Sequence, residues 1–198
     1  MRGEAISGRN EARGGKVVHF TSVFPPFDFR IFHKECRSLV KAGCSVALVA
    51  PHDRDEVVQG VRIKAVPKSK GRLARMTLTV WRVYREAVRL GGDLYVFPDP
   101  ELIPVGLLLR SRGKKVVYDI REFGALQFLT KHYLPLWARG LCGRLVRRLQ
   151  AFAVPRLSAV LAATPSIAAQ FPESARRKLT IVQDFPSLAE LSPKDHLS

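Results

Sequence analysis

The segment from Lys16 to Pro51, KVVHFTSVFPPFDFRIFHKECRSLVKAGCSVALVAP, leaves the chain few ways to fold. An apolar run at Val17 to Phe20 leads into a Pro-Pro loop. A helix-period segment follows, with Ile31, Phe32, Cys36, Leu39 and Val40 on one side, and Gly43 ends it. A second apolar run, Val46 to Ala50, comes next. Parallel strands cannot be joined by a tight turn, so strand, crossover helix and strand in this order form the unit of doubly wound α/β domains. Ligands of such sheets bind outside the carboxyl ends of the strands, which directs attention to Thr21 through Arg30.

The alternation continues down the chain. HDRDEVVQG after Pro51 reads as a charged loop closing on Gly60, and Val61 to Pro67 alternates as a strand with one wet face. Lys68 to Gly71 is a basic linker. Arg72 to Leu90 is helical, with Leu73, Met76, Val80, Tyr84, Ala87 and Val88 as the expected buried stripe and Arg75, Arg82 and Arg89 on another face. Asp93 to Phe97 is a strand, Glu101 to Ser111 a short helix, and Lys114 to Ile120 a strand. Leu126 to Leu157 is mostly helical, broken near Pro135. Ala159 to Pro165 and Thr180 to Pro186 are the last strands. The expectation is α/β: a single doubly wound, Rossmann-like parallel sheet with helices on both faces. This domain, 16–186, is expected between a flexible basic tail, 1–15, and a second tail or linker, 187–198.

Three strand-end loops carry polar residues. In the first, Asp28 either caps the following helix by accepting backbone N–H bonds or faces a ligand. Arg30 is either solvated or sits with the helix N-terminus beside an anionic group. In the second, Asp99 and Glu101 fit the first turn of a helix, as cap and dipole partner, or else contact a ligand. The third, Asp119-Ile120-Arg121-Glu122-Phe123, is harder to explain by packing, and Glu122 is its candidate substrate-facing carboxylate. The expectation is that Asp28, Asp99 and Glu122 gather at one rim of the sheet. No GxGxxG, P-loop, GxSxG or CxxC occurs, and no two histidines share metal spacing, so no dinucleotide cofactor and no metal site is expected.

Taken in order, HFTSVFPPFDFRIFHKECRSL, DPELIPVGLLL, GKKVVYDIRE and AATPSIA resemble the amino-terminal, acceptor-side domain of the family 4, GT-B-type glycosyltransferases. The likeness runs from about Lys16 to Pro186. It implies one half of a GT-B fold, in which two Rossmann-like domains face a cleft. The amino-terminal domain holds the acceptor, and the carboxyl-terminal one binds a nucleotide sugar through two glutamates in the pattern E-x7-E. No such pair occurs in these 198 residues. The resemblance therefore implies an acceptor-binding domain that acts on a membrane-associated, lipid-linked or polysaccharide acceptor. It would need a donor domain for the nucleotide sugar and be weak or inactive alone. Relatives tend to carry histidines in the fourth-strand loop, where this chain has Val96 and Pro98. They also tend to read Asp-Val-His-Glu where this chain reads Asp119-Ile120-Arg121-Glu122. Asp119 and Glu122 match as catalytic candidates. Arg121 stands where the family's histidine orients the transferred sugar; an arginine offers only donors and suits a phosphate or hydroxyl instead.

Charge adds a partner class. Lys+Arg number 33 against Asp+Glu 17, a net +16, which predicts attraction to something anionic. On Leu136 to Leu157 the stripe Trp137, Leu141, Leu145, Leu149 and Phe152 is either core-facing, with Arg139, Arg144, Arg147 and Arg148 solvated, or lies on an acidic lipid surface. A non-catalytic membrane-surface module derived from such an enzyme is the alternative to the transferase. Nucleic acid is disfavoured, because the aromatics are not interleaved with Lys/Arg on strands. Cys36, Cys44 and Cys142 read as reduced thiols, no segment approaches the roughly 20 apolar residues that span a bilayer, and Met1 to Gly15 lacks the apolar core of a signal peptide. The expected location is cytoplasmic, or peripheral at the inner face of the membrane.

Overall fold

The computed structural model describes residues 14–69, 71, 74–121, 136–183 and 185. Within them lies an eight-stranded, mostly parallel sheet in the order β3-β4-β2-β1-β5-β6-β7-β8. The chain divides into two compact units, Met1–Val117 and Tyr118–Ser198. The expected terminal tails lie largely outside the described residues, as does Glu122.

In the first unit, β1 (Gly14–Phe20) pairs in parallel with β2 (Cys44–Pro51), Val17 opposite Val46 and Phe20 opposite Val49. Between them runs α1, a wide π-type stretch (Phe29–Cys36) continued by a regular turn (Arg37–Lys41). Ile31, Phe32 and Cys36 of α1 pack against Val46, Leu48 and Ala50 of β2 and Val61 and Ile63 of β4 (Val61–Val66). All five residues from Val46 to Ala50 are buried, although they point alternately to opposite sides. Both faces of the sheet must therefore be covered. The second cover is α2, again a π-type stretch (Arg75–Thr79) continued as a helix (Val80–Leu90), which packs on β1, β2 and β4.

The inward face of α2 is Thr79, Val83, Tyr84 and Ala87. This corrects the expected stripe: Met76 and Val88 are exposed, and Leu73 lies outside the described residues. The wide turn at the start of α2 shifts the phase of its first residues relative to the 3.6 period, so Met76 leaves the stripe. A second correction concerns the charged loop after Pro51. Its last residues form β3 (Glu56–Val58), antiparallel to β4. Gln59 and Gly60 both take positive φ, 51° and 81°, as a two-residue hairpin turn of the I′ type requires. Gln-Gly is a weak signal for that turn beside Asn-Gly, and the hairpin is invisible to pattern reading for that reason.

After α2, β5 (Leu94–Phe97) pairs in parallel with β1, then a single 3₁₀ turn (Pro100–Leu102) leads into α3 (Ile103–Ser111). Gly106 lets α3 approach the sheet: a Cβ there would meet Cε1 of the fully buried Phe97 at 2.5 Å. Strand β6 (Lys115–Ile120) carries the boundary between the units.

The second unit contains α4 (Leu136–Ala153), ending in a 3₁₀ turn (Val154–Arg156), and the parallel pair β7 (Ala159–Ala162) and β8 (Leu179–Ile181), with short helices α5 (Pro165–Ala168) and α6 (Glu173–Arg176) between them. Thr164 caps α5, its Oγ1 accepting from the Ile167 N–H. Gln150 of α4 donates to the hydroxyl of the fully buried Tyr118 at 2.9 Å.

Cys36, Cys44 and Cys142 are free thiols. Cys36 is fully buried, and burial, with the nearby Glu35 charge, pushes its thiol far up. Two outcomes follow from this packing. Gly106→Ala should destabilise the protein by about 1–3 kcal/mol through overpacking against Phe97, seen as a lower urea midpoint at unchanged slope. Cys36 should resist alkylation by iodoacetamide in the native protein while reacting after unfolding.

Candidate functional site

Strands β1 and β5 are parallel neighbours, so the loops that follow them leave the sheet at the same end. A buried carboxylate joins those loops. Asp99 Oδ2 accepts from Thr21 Oγ1 at 2.8 Å, from the Ser22 N–H at 2.6 Å and from Ser22 Oγ at 3.2 Å. Ser22 Oγ also lies 3.1 Å from Glu101 Oε1. Thr21 Oγ1 in turn accepts from the N–H groups of Val23 and Phe24, which folds the loop back on itself. Asp99 does not cap the helix that follows it; its side chain reaches across to the loop after β1 instead. Glu101 does stand in the first turn, as expected for a dipole partner.

Burial pushes the Asp99 carboxyl up from 3.8 to about 6, helped by the Glu101 charge, while the hydrogen bonds from Ser22 and Thr21 pull the other way. Near neutral pH the group is therefore ionised, held by its three donors.

Asp28 caps α1, its Oδ1 accepting from the N–H groups of Arg30 and Ile31. The Arg30 side chain is not solvated. It is only 5% exposed, and its Nε donates to Glu35 Oε1 at 2.9 Å. Glu35 Oε2 lies 3.6 Å from His19 Nδ1. Helical periodicity hides this buried group, because residues five apart do not stack on an ordinary helix. The π-type stretch Phe29–Cys36 brings position i+5 back towards i.

Beside the tied loops lies a pocket of about 350 Å³, lined by Ser22, Val23, Pro51, Lys68, Ser69, Gly71 and Thr79. Its walls come from the ends of β1, β2 and β4 and from the start of α2. Thr79 Oγ1 donates to Ser69 Oγ at 2.8 Å, which orders the far wall. Among the described residues, a lining with three hydroxyl side chains and one lysine suits a ligand rich in hydroxyl groups and tolerant of negative charge. Of the pocket residues, Ser22 and Val23 fall in the strand-end loop that the sequence points to, whereas Lys68 and Ser69 read there only as a basic linker.

In the second unit, Asp119 is buried at the end of β6, and Arg121 Nε lies 3.6 Å from its Oδ2. Among the described residues, no group of three or more His, Cys, Asp or Glu side chains is placed to hold a metal ion.

Residues 30–183 match the glycosyl transferase 4-like domain family. The chain belongs to that family. Solved GT-B glycosyltransferases share its fold at low identity. Sucrose-phosphate synthase from Thermosynechococcus elongatus is 12% identical with a TM-score of 0.62, over 85% of this chain and 47% of that one. HepE from Anabaena, solved with UDP and glucose, is 12% identical with a TM-score of 0.54, over 86% of this chain and 44% of that one. A shorter piece of the sucrose-phosphate synthase gives 0.57 at 12% identity, over 86% and 89%. The glycosyl transferase 4-like chain thus spans a little under half of the two longer structures. No curated protein sequence matches it.

Folding raises the Asp99 pKa, so the native state holds this proton more tightly than the unfolded chain. The group's contribution to stability is full below its ordinary value of 3.8 and is lost as pH rises through about 6. The loss is on the order of 3 kcal/mol. Asp99→Asn keeps an acceptor oxygen and removes the titration. The stability of wild type minus that of the variant, from urea unfolding, should fall across this window; a flat difference would contradict the assignment.

Proposed function

We propose that this glycosyl transferase 4-like domain is the acceptor half of a sugar-transfer enzyme, with its pocket at Ser22, Lys68, Ser69 and Thr79 holding the acceptor. The observation that carries the reading is the pocket's position. It opens at the carboxyl ends of β1, β2 and β4, where open α/β sheets bind ligands, and its second wall is a loop pinned by a buried carboxylate. Pinning matters because a hydroxyl nucleophile reacts only when held in register with its electrophile.

In transfer, the acceptor oxygen loses its proton as it bonds the anomeric carbon, and the nucleoside diphosphate departs with the bonding electrons. The chain's family and fold support the acceptor side of this step. The nucleotide sugar, and the charges that neutralise its leaving diphosphate, belong in this reading to a second domain outside the 198 residues. Asp119, at the end of β6, and Glu122, just after it in sequence, are carried over as the catalytic carboxylates. Arg121, held near Asp119, is the group facing a phosphate or hydroxyl. Asp28, Arg30, Asp99 and Glu101 shape the acceptor loops rather than supply charge directly, since Asp28 is engaged as a cap, Arg30 with Glu35 and Asp99 with Thr21 and Ser22. The substrate class is a membrane-associated, lipid-linked or polysaccharide acceptor, with Lys68 meeting any negative charge it carries.

The decisive experiment compares transfer from a radiolabelled nucleotide sugar by the 198-residue chain alone and with a donor-binding domain supplied in trans. Transfer is expected only in the second case, and turnover by the chain alone would overturn the assignment of the donor to another domain. In the active pair, Lys68→Ala should raise the acceptor KM about ten-fold with little change in kcat, the loss of one charged hydrogen bond. Glu122→Gln should instead lower kcat, by on the order of a hundred-fold. A Lys68 variant with wild-type KM would remove the pocket from the reading.

A further inference from the structure

Helix α4 buries two of its small residues and leaves several of its large apolar ones outward. Gly143, Gln150 and Ala153 are buried and Val146 is half-buried, at the spacing of one helical face. Positions 141, 145, 148 and 152 mark the opposite face. There Leu141 is 55% exposed, Leu145 65% and Phe152 51%, and Arg148 is exposed among them. Of the two directions the sequence leaves open for this stripe, Leu141, Leu145 and Phe152 take the outward one, and Leu149 is half-buried. Arg144 is exposed beside the stripe and Arg147 is exposed further round the helix, and the Arg156 guanidinium lies 3.7 Å from the Phe152 ring centroid. The helix carries Arg139, Arg144, Arg147 and Arg148 and not one Asp or Glu.

We propose that this face of α4 docks on a bilayer surface bearing acidic headgroups. The helix lies in the interface plane, with Leu141, Leu145 and Phe152 in the acyl boundary and the guanidinium groups among the phosphates. Charge complementarity decides the occupant. A second copy would set one arginine row against another with no acid on either helix to offset the repulsion. Nucleic acid would engage the arginines but leave Leu141 and Leu145 in water. A surface that is both acidic outside and apolar beneath satisfies the whole face. No helix among the described residues is long and apolar enough to cross a membrane, so the contact is adsorption.

The same pattern recurs in the first unit. On α2, Leu78, Trp81 and Val88 are exposed with Arg85 between them. In each helix two apolar residues, an arginine and a further apolar residue share the outward face. The proposal goes beyond the transferase reading and does not depend on it.

Sedimentation with vesicles tests it. The 198-residue protein should bind vesicles of mixed phosphatidylcholine and phosphatidylserine, not pure phosphatidylcholine, and binding should weaken as salt rises. Replacing three arginines together (Arg144→Gln, Arg147→Gln, Arg148→Gln) should weaken partitioning by on the order of a hundred-fold. Leu141→Gln with Leu145→Gln should weaken it at least about ten-fold at the same net charge. The side chains replaced in both variants are exposed, so melting temperatures should hold. Should either multiple variant melt early, Arg148→Glu alone must still weaken partitioning. Absence of binding to acidic vesicles, unchanged partitioning of the variants, or tighter binding to duplex DNA than to vesicles at equal salt would each overturn the proposal. Transfer to a soluble acceptor is read separately, so failure of the enzyme reading leaves this result intact.

Discussion

The loops that define the candidate site stay in place because one carboxylate is buried between them. Asp99 belongs to β5's terminal loop, yet its donors belong to β1's. Taking a carboxylate out of water is costly, by several kcal/mol when nothing compensates. Here a backbone N–H and two hydroxyls compensate in part, and the pKa near 6 is the outcome of that contest between desolvation and hydrogen bonding. A group so placed resists local change: moving either loop would strand a buried charge. The sheet supplies the other half of the rigidity, since β1 and β5 are locked in parallel register at Val17–Leu94 and His19–Val96. Pocket geometry thus depends on sheet pairing through a single side chain.

The wide turn of α1 has a comparable effect on the far end of the loop after β1. An ordinary helix would place Glu35 about 140° round the axis from Arg30. The π-type stretch instead brings them together, and Asp28 fixes where that stretch begins by capping the Arg30 and Ile31 N–H groups. An arginine that sequence alone allows to meet an anion is thereby turned into an internal ion pair. Among the described residues, Lys68 is then the cationic side chain lining the pocket. One backbone irregularity redistributes the charge available to a ligand.

How much of this is readable from the chain follows from what each signal measures. The strand–helix–strand unit at Lys16 to Pro51 is legible because both apolar runs and Gly43 mark local backbone states. Asp28 as a cap is legible for the same reason. Asp99 is visible as a polar residue at a strand end, but its partners Thr21 and Ser22 are 78 and 77 residues away, a separation no local rule reports. The pocket residues Lys68 and Ser69 look like linker because a lining role is defined by the space around a side chain, not by its neighbours in sequence. The hairpin at Glu56 to Val61 escapes because Gln59 takes a positive φ without being Gly, Asn or Asp.

Helix α4 shows why periodicity alone leaves the direction of a stripe open. Its strongest apolar spacing, Leu141, Leu145, Phe152, is the outward face, and its inward face is Gly143, Val146, Gln150 and Ala153. A hydrophobicity pattern weights side chains by size and so favours the leucines. Packing favours whatever lets backbones approach, and small residues do that best. The buried polar member, Gln150, is not an exception to the inward face but a reason for it: its amide satisfies the buried Tyr118 hydroxyl. Rotating the helix to bury the leucines would carry that amide away from the Tyr118 hydroxyl. The hydrogen bond and the small residues thus favour this orientation, and the large apolar side chains Leu141, Leu145 and Phe152 are left exposed.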